Sequence, residues 1–291
     1  MHAAFVRRRL RRLKALQEPL QVERMTQELA GALLGKDRRR LQSREIQLPR
    51  CRAALLSPTQ GAGEGAILYL HGGGYCCGDL TYACGYGSVL SADGSAHTLC
   101  PAYRLAPESP FPAALEDALD AYRFLLDRCS AQRIALVGES AGGGLIYALC
   151  LKCKALGLPL PGALIPISPW VDLTQSGPSY AENREADPSM TKERLDRFAA
   201  AYVPDPADRM QPLVSPLYGN LSGLPESRIY VGGDEIMQSD VVWLHEALTA
   251  ASSPSRLTVA EGLWHGYVLY DLRERRADRE AIAACLREVT R

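Results

Sequence analysis

This 291-residue chain lacks several things at once. It has no apolar run approaching the length of a membrane-spanning helix, no internal repeat and no low-complexity tract. It also has no formal net charge, since 33 lysines and arginines meet 33 aspartates and glutamates. The first absence excludes a spanning helix. The second and third exclude a repeat array and a compositionally biased tail. The charge balance removes any global pull toward nucleic acid or an anionic membrane. No paired cysteine motifs stand at zinc spacing: Cys150 and Cys153 form C-x-x-C, but inside an expected helix and with no second pair. Nine cysteines, an odd number in a chain this long, do not read as a disulfide framework. They are expected as small buried hydrophobes in a reducing, cytoplasmic setting. What the chain does have is apolar content, 47 % of its residues, enough for a large core.

The balanced charge hides an asymmetry. Residues 1–44 carry 12 lysines and arginines against 4 acids, and the remainder carries 21 against 29. The arginine cluster from Arg7 to Arg12 has no apolar stretch after it, which argues against a secretory signal. Glu18, Glu23 and Glu28 argue against a mitochondrial transit peptide. Leu10, Leu13, Leu16, Leu20, Met25, Leu29 and Leu33 recur at helical spacing, and Pro19 divides them into two helices. As a cap, this pair would lend its leucines, methionine and Phe5 to a pocket wall. As a membrane-surface element it would need a stronger apolar face than Leu10, Leu13 and Leu16 give. The cap is the favoured expectation, with no stable membrane association.

From about Glu45 the pattern changes. Short apolar runs at 46–48, 53–56 and 67–70 read as strands between proline and glycine turns. Strands at 98–103, 134–138, 164–168, 228–232 and 256–261 then alternate with helices at 113–128, 141–156, 241–251 and 272–287. Such alternation predicts an α/β fold, with a mostly parallel sheet flanked by helices. The charged, proline-rich stretch 172–212, with a helix over 191–202, interrupts it. The expected organisation is an N-terminal helical cap segment over 1–42 and a catalytic domain over 43–291, with a second cap element inserted at 172–212.

Ligands of such sheets sit at the carboxyl ends of the strands, and four motifs stand there. Gly138-Glu139-Ser140-Ala141-Gly142 follows an apolar strand and opens a small-residue helix, a context that presents Ser140 on a sharp turn. His71-Gly72-Gly73-Gly74-Tyr75 follows 67–70, and consecutive glycines let backbone N–H groups converge on a developing oxyanion. Gly72 and Gly73, with Ala141 after the nucleophile, are the expected donors. Gly232-Gly233-Asp234-Glu235-Ile236 follows 228–232, and Asp234 is expected to orient a histidine. Trp264-His265-Gly266-Tyr267 follows 256–261, and His265 is the expected base. Alone, each has an ordinary structural reading: a glycine turn, a capping aspartate, a satisfied core histidine. Together they run serine, acid, histidine, the chain order of the α/β-hydrolase triad.

The set resembles the hormone-sensitive-lipase-like esterases of the α/β-hydrolase fold. The resemblance rests on HGGGY at 71–75, YRLAPE at 103–108, PFPAALED at 110–117, GESAGG at 138–143, SPWVDLT at 168–174, GGDEI at 232–236 and WHGY at 264–267. It implies Ser140 as nucleophile, Asp234 as acid, His265 as base, a cap built from the N-terminus and a mid-sheet insertion, and no metal or organic cofactor. It also admits a homodimer through the last strand and helix. Two departures stand out: Ala102 occupies a position usually held by aspartate, and Cys76-Cys77 flank the glycine run. The expected activity is hydrolysis of small, short-acyl carboxylic esters, with Tyr75 and Trp170 in the pocket wall. Acyl transfer, lactone or amide hydrolysis with the same triad, or ligand binding without turnover, stay open at this point.

Overall fold

In the strands at the middle of the sheet, successive residues belong to two different hydrophobic clusters. Leu68, Leu70, Leu136 and Leu164 join one; Ile67, Tyr69, Val137 and Ile165 join the other. Side chains on a strand alternate between faces, so both faces of this sheet are covered, and that is why these strands read as unbroken apolar runs. The computed structural model describes residues 1–14, 18–34 and 41–291.

Two helices, α1 (Ala3–Lys14) and α2 (Leu20–Leu34), precede the strands β1 (Leu41–Gln47), β2 (Arg52–Pro58) and β3 (Ala66–Leu70). There follow α3 (Leu80–Gly94), β4 (His97–Pro101), α4 (Ala113–Leu126), β5 (Ile134–Glu139), α5 (Ala141–Leu156) and β6 (Ala163–Ile167). The insertion carries α6 (Ser179–Glu182) and α7 (Lys192–Tyr202), after which β7 (Ser227–Gly232), α8 (Gln238–Ala250), β8 (Ser255–Ala260) and α9 (Arg276–Thr290) complete the chain. The strands form one eight-stranded sheet in the order β1-β2-β4-β3-β5-β6-β7-β8, antiparallel at β1, β2 and β4 and parallel from β4 onward. Apolar residues of α4, α5 and α8 pack in one cluster, and those of α3 and α9 in the other. The expected α/β architecture is present.

α3 has no counterpart in the sequence reading. It contains Gly85, Gly87, Ser88, Ser91 and Gly94 and buries most of its circumference, so no one-sided apolar stripe marks it. Its start is fixed by Asp79, whose side chain accepts from the amides of Thr81 (2.5 Å) and Tyr82 (3.3 Å).

α2 reverses the expected orientation. Its polar side faces inward: Glu23 pairs with Arg194 and Arg197 of α7, Arg24 donates to the Cys76 carbonyl (2.7 Å) and pairs with Glu108, Gln27 donates to the Gly72 carbonyl (3.0 Å), and Glu28 accepts from the Tyr82 amide. Met25, Leu29 and Leu33 of α2 and Phe5 and Leu13 of α1, expected at a pocket wall, face solvent, as does Val22. Leu16 lies outside the described residues. No described helix is long and apolar enough to cross a membrane.

Candidate active site

Ser140 stands between β5 and α5 with φ 54° and ψ −122°, a conformation sparsely populated by side-chain-bearing residues. Holding it costs roughly 1–3 kcal/mol, and the surroundings over-determine it. The Ser140 amide donates to the Ile167 carbonyl (3.0 Å), and the Ser140 carbonyl accepts from the amides of Gly144 (3.1 Å) and Trp170 (2.9 Å). A Cβ on Gly138 would sit 2.2 Å from the Gly142 carbonyl oxygen, and one on Gly142 would sit 2.0 Å from the Leu70 carbonyl oxygen. The flanking glycines are therefore required by close backbone approach. Ser140 is 6 % exposed, and among the described residues its hydroxyl has no hydrogen-bond partner.

The histidine is held from the far side of β6. His265 Nδ1 lies 3.0 Å from Glu235 Oε2. A carboxylate only accepts, so Nδ1 carries the proton and Nε2 is left to receive one. The other oxygen of Glu235 accepts from Ser168 Oγ (2.5 Å) and the Gly232 amide (2.5 Å), and Ser168 Oγ accepts in turn from the Gly266 amide (3.0 Å). The turn after β6 thus bonds the serine through Ile167 and Trp170, and the acid–histidine pair through Ser168. Burial alone would lower the His265 pKa; the hydrogen bond and charge of Glu235, with the charges of Asp187 and Glu139, overcome this and raise it.

Asp234, the acid expected from the sequence, does not meet His265. Its carboxylate is bonded to Arg7 of α1 (2.6 Å), while its amide donates to the Leu263 carbonyl (2.9 Å). The neighbouring Glu235, wholly buried, takes the histidine. Arg7 does more than neutralise Asp234: it donates to the carbonyls of Ala186 (3.1 Å) and Gly262, and its guanidinium lies 5.6 Å from the Trp264 ring centre. One side chain thereby ties α1 to the acid turn, the histidine turn and the insertion. From the insertion, Asn183 donates to the Gly233 and Glu235 carbonyls and Asp187 accepts from the Ile236 amide.

The glycine loop also departs from expectation in one donor. The Gly72 amide is occupied, donating to Glu139 Oε1 at 2.7 Å. Glu139 accepts as well from the phenols of Tyr82 (2.8 Å) and Tyr69 (3.4 Å). The free donors of the run are Gly73 and Gly74, which have no such partner among the described residues and adopt φ of 117° and 61°. Ala141 opens α5, where a first-turn amide has no acceptor within the helix. The loop is fastened through its carbonyls: His71 O accepts from Tyr103 (2.6 Å), and Gly72 O from His71 Nδ1 (2.7 Å) and Gln27. The His71 and Tyr103 rings stack at 4.2 Å. Phe198 of α7 lies directly over Gly74, where a Cβ would stand 2.1 Å from its ring.

Tyr75 and Trp170 are buried behind the nucleophile and do not form an open wall. Tyr75 stacks on Tyr202 at 3.8 Å, and Trp170 acts through its backbone amide on Ser140. Cys76 and Cys77 are buried thiols, each pushed up to about 12 by desolvation, and Cys150 and Cys153 are buried on α5. The Ala102 amide bonds the Arg52 carbonyl at the end of β4, and the loop beneath is held by Tyr103. Glu139 and Glu235 were both legible as acids beside their motifs, but nothing in the sequence distinguished their roles.

Residues 67–269 match the model of a protein family described by the alpha/beta hydrolase fold. An acetyl-hydrolase of Streptomyces hygroscopicus is 36 % identical over 248 residues, covering 84 % of this chain and 82 % of its own. The crystal structure of EstE5 soaked with p-nitrophenyl butyrate superposes with a TM-score of 0.91 at 34 % identity, over 98 % of this chain and 97 % of that one. An esterase of the bacterial hormone-sensitive lipase family superposes with a TM-score of 0.93 at 32 % identity, over 99 % and 98 %. With this fold, these motifs and these similarities, the chain belongs to the α/β-hydrolase fold family as an ester-hydrolysing member of its hormone-sensitive-lipase-like group.

Proposed function

We propose that this protein is a serine carboxylesterase for small, short-acyl esters, working through Ser140, His265 and Glu235. The observation that carries this reading is the 3.0 Å contact of Glu235 with His265 Nδ1, set against a strained, Gly-flanked Ser140. With Nδ1–H committed to Glu235, Nε2 takes the Ser140 proton as the hydroxyl attacks the ester carbonyl. The amides of Gly73, Gly74 and Ala141 stabilise the oxyanion, each worth roughly 3–4 kcal/mol in such sites. The tetrahedral species collapses, and the imidazolium protonates the departing alcohol. Water then attacks the acyl-enzyme by the same route, releasing the acid and restoring Ser140. No step calls for another reactant.

The N-terminal helices and the 172–212 insertion act as the cap. The placement of Phe198 against Gly74 supports a short acyl chain by limiting space beside the oxyanion donors. The acetyl-hydrolase relative and the butyryl ester used with EstE5 support the same range. Ser140→Ala is expected to lower turnover of a p-nitrophenyl ester by about a million-fold. Parent-like activity in that variant would overturn the mechanism. Among p-nitrophenyl esters, acetate and butyrate should exceed decanoate in kcat/KM; the opposite order would overturn the short-acyl assignment.

A further inference from the structure

On α2 the exposed apolar residues Val22, Met25, Leu29 and Leu33 are spaced 3, 4 and 4 apart. That spacing places them in one narrow stripe along the helix. The opposite side of the same helix is committed to the protein by Glu23, Arg24, Gln27 and Glu28. A helix that folded only to bury its own leucines would have turned the other way. The stripe is therefore held outward by polar bonds to the oxyanion loop and α7.

α1 behaves similarly. Val6 is buried, and Arg7 and Lys14 bind the body, Lys14 through the carbonyls of Arg184 (2.7 Å) and Asp187 (2.6 Å). Outward stand Phe5, Leu13, Arg8, Arg9, Arg11 and Arg12, with Arg9 over the Phe5 ring at 5.0 Å. This is an apolar face interleaved with four exposed cations and no exposed acid on the helix. The two helices grip the two halves of the active site, α1 at the histidine turn and α2 at the oxyanion loop. Among the described residues, seven of the ten exposed large hydrophobic residues lie in 1–33. They are concentrated where the site is covered.

We propose that the outer faces of α1 and α2 dock on an anionic lipid surface, the arginines meeting headgroup charge and the apolar residues entering the interface. The occupant is chosen by charge: residues 1–44 are strongly basic while the rest of the chain is acidic, so an anionic bilayer attracts this end and repels the remainder. This reverses the expectation of no stable membrane association, which rested on the weak apolar face of Leu10, Leu13 and Leu16 and on the cap pattern of the resembled family. The structure turns Leu10 partly inward and brings Phe5 and the α2 stripe outward in its place.

The test is cosedimentation of the full chain with vesicles of phosphatidylcholine, with and without phosphatidylserine. Binding should be strong only with phosphatidylserine and should fall as salt rises. Arg8→Gln, Arg9→Gln, Arg11→Gln and Arg12→Gln together should weaken it on the order of a hundredfold. Met25→Ser, Leu29→Ser and Leu33→Ser together should abolish retention at high salt. Both variants should hydrolyse a soluble p-nitrophenyl ester at the parent rate, which shows that they fold. Ser140→Ala should bind like the parent, so the result does not depend on the catalytic assignment. Equal binding to both vesicle types, no binding, or a parent dimer that the leucine variant converts to monomer would overturn the proposal; the last would mean that a second copy covers the stripe.

Discussion

Two buried glutamates end two neighbouring halves of this site, and they use the same device to different ends. Glu139, the last residue of β5, accepts a backbone amide (Gly72) and two phenols, Tyr82 and Tyr69. Glu235, just beyond β7, accepts a backbone amide (Gly232), a hydroxyl (Ser168) and an imidazole. The phenols at Glu139 are held well above their ordinary pKa by burial and by the carboxylate, so nothing there exchanges a proton in the working range. In the proposed mechanism the partner at Glu235, His265, does exchange one. A buried carboxylate thus fixes geometry when its partners cannot titrate, and supplies chemistry when one can.

The sharpest break of this comparison is Glu235→Gln, which keeps the shape and removes the charge opposite His265. Turnover should fall by about 10⁴-fold, the size expected when a histidine loses its orienting carboxylate. The acid limb of kcat/KM should also move. His265 must be neutral to act as base, and its pKa is raised above the ordinary 6.5, so in the parent activity is lost as pH falls through a value above 6.5. In the Gln variant burial is offset only by the charges of Asp187 and Glu139, and the limb should shift to lower pH; an unmoved limb would remove Glu235 from the mechanism.

Glu139→Ala should come next, with a loss of about a hundredfold, because Gly72 would no longer be anchored and the donors beside it would drift. The loss should fall on kcat with KM little changed, and the acid limb should move down less than in Glu235→Gln, because the Glu139 charge raises His265 less than Glu235 does; an equal or larger shift would mean that the two glutamates are not separable as described.

Asp234→Asn should cost at most about fivefold, since it weakens a partly exposed pair with Arg7 worth about 1 kcal/mol, and Arg7 keeps its bonds to the Ala186 and Gly262 carbonyls. If instead this variant were the inactive one and Glu235→Gln were nearly normal, the acid assignment would be reversed.

The smallest expected effect on rate is at Asp240, a third buried carboxylate, which accepts from Tyr180 of the insertion (2.7 Å). Burial raises its pKa from 3.8 to about 7. Because the folded-state pKa is the higher, the contribution to stability is complete below 3.8 and is lost as pH rises to about 7. Asp240→Asn should therefore flatten the decline in melting temperature between acidic and neutral pH without changing kcat. A decline as steep as the parent's would show that other groups cause it.

The sequence carried the sheet, the tight turn at Ser140 and the place of His265 after the last strand, because each is written in local pattern: an apolar run, then small residues, then one polar side chain. It did not separate Asp234 from Glu235. Both follow the same strand, and the choice is made by Arg7, which lies 227 residues away and draws Asp234 outward. It misassigned Gly72 for a similar reason, since the amide is claimed by Glu139 from a different strand. α3 was invisible because it is buried nearly all round. The N-terminal helices were visible as helices, but their orientation depends on polar partners in the 71–79 loop, at Glu108 and in α7. Periodicity reports only that a helix has two faces, and here the face that binds the protein is the polar one.

The bond between Arg7 and Asp234 also sets an order of events during synthesis. α1 is made well before the residues that Arg7 binds, which lie at Ala186, Asp234 and Gly262. Those bonds cannot form until residues 186–262 have been made, and contacts so distant in sequence form late. The Arg7 clamp is thus placed late, and the histidine turn gains it only after residues 186–262 have been made. A nascent or truncated chain ending before residue 234 would carry Ser140 with neither the Glu235–His265 pair nor this clamp.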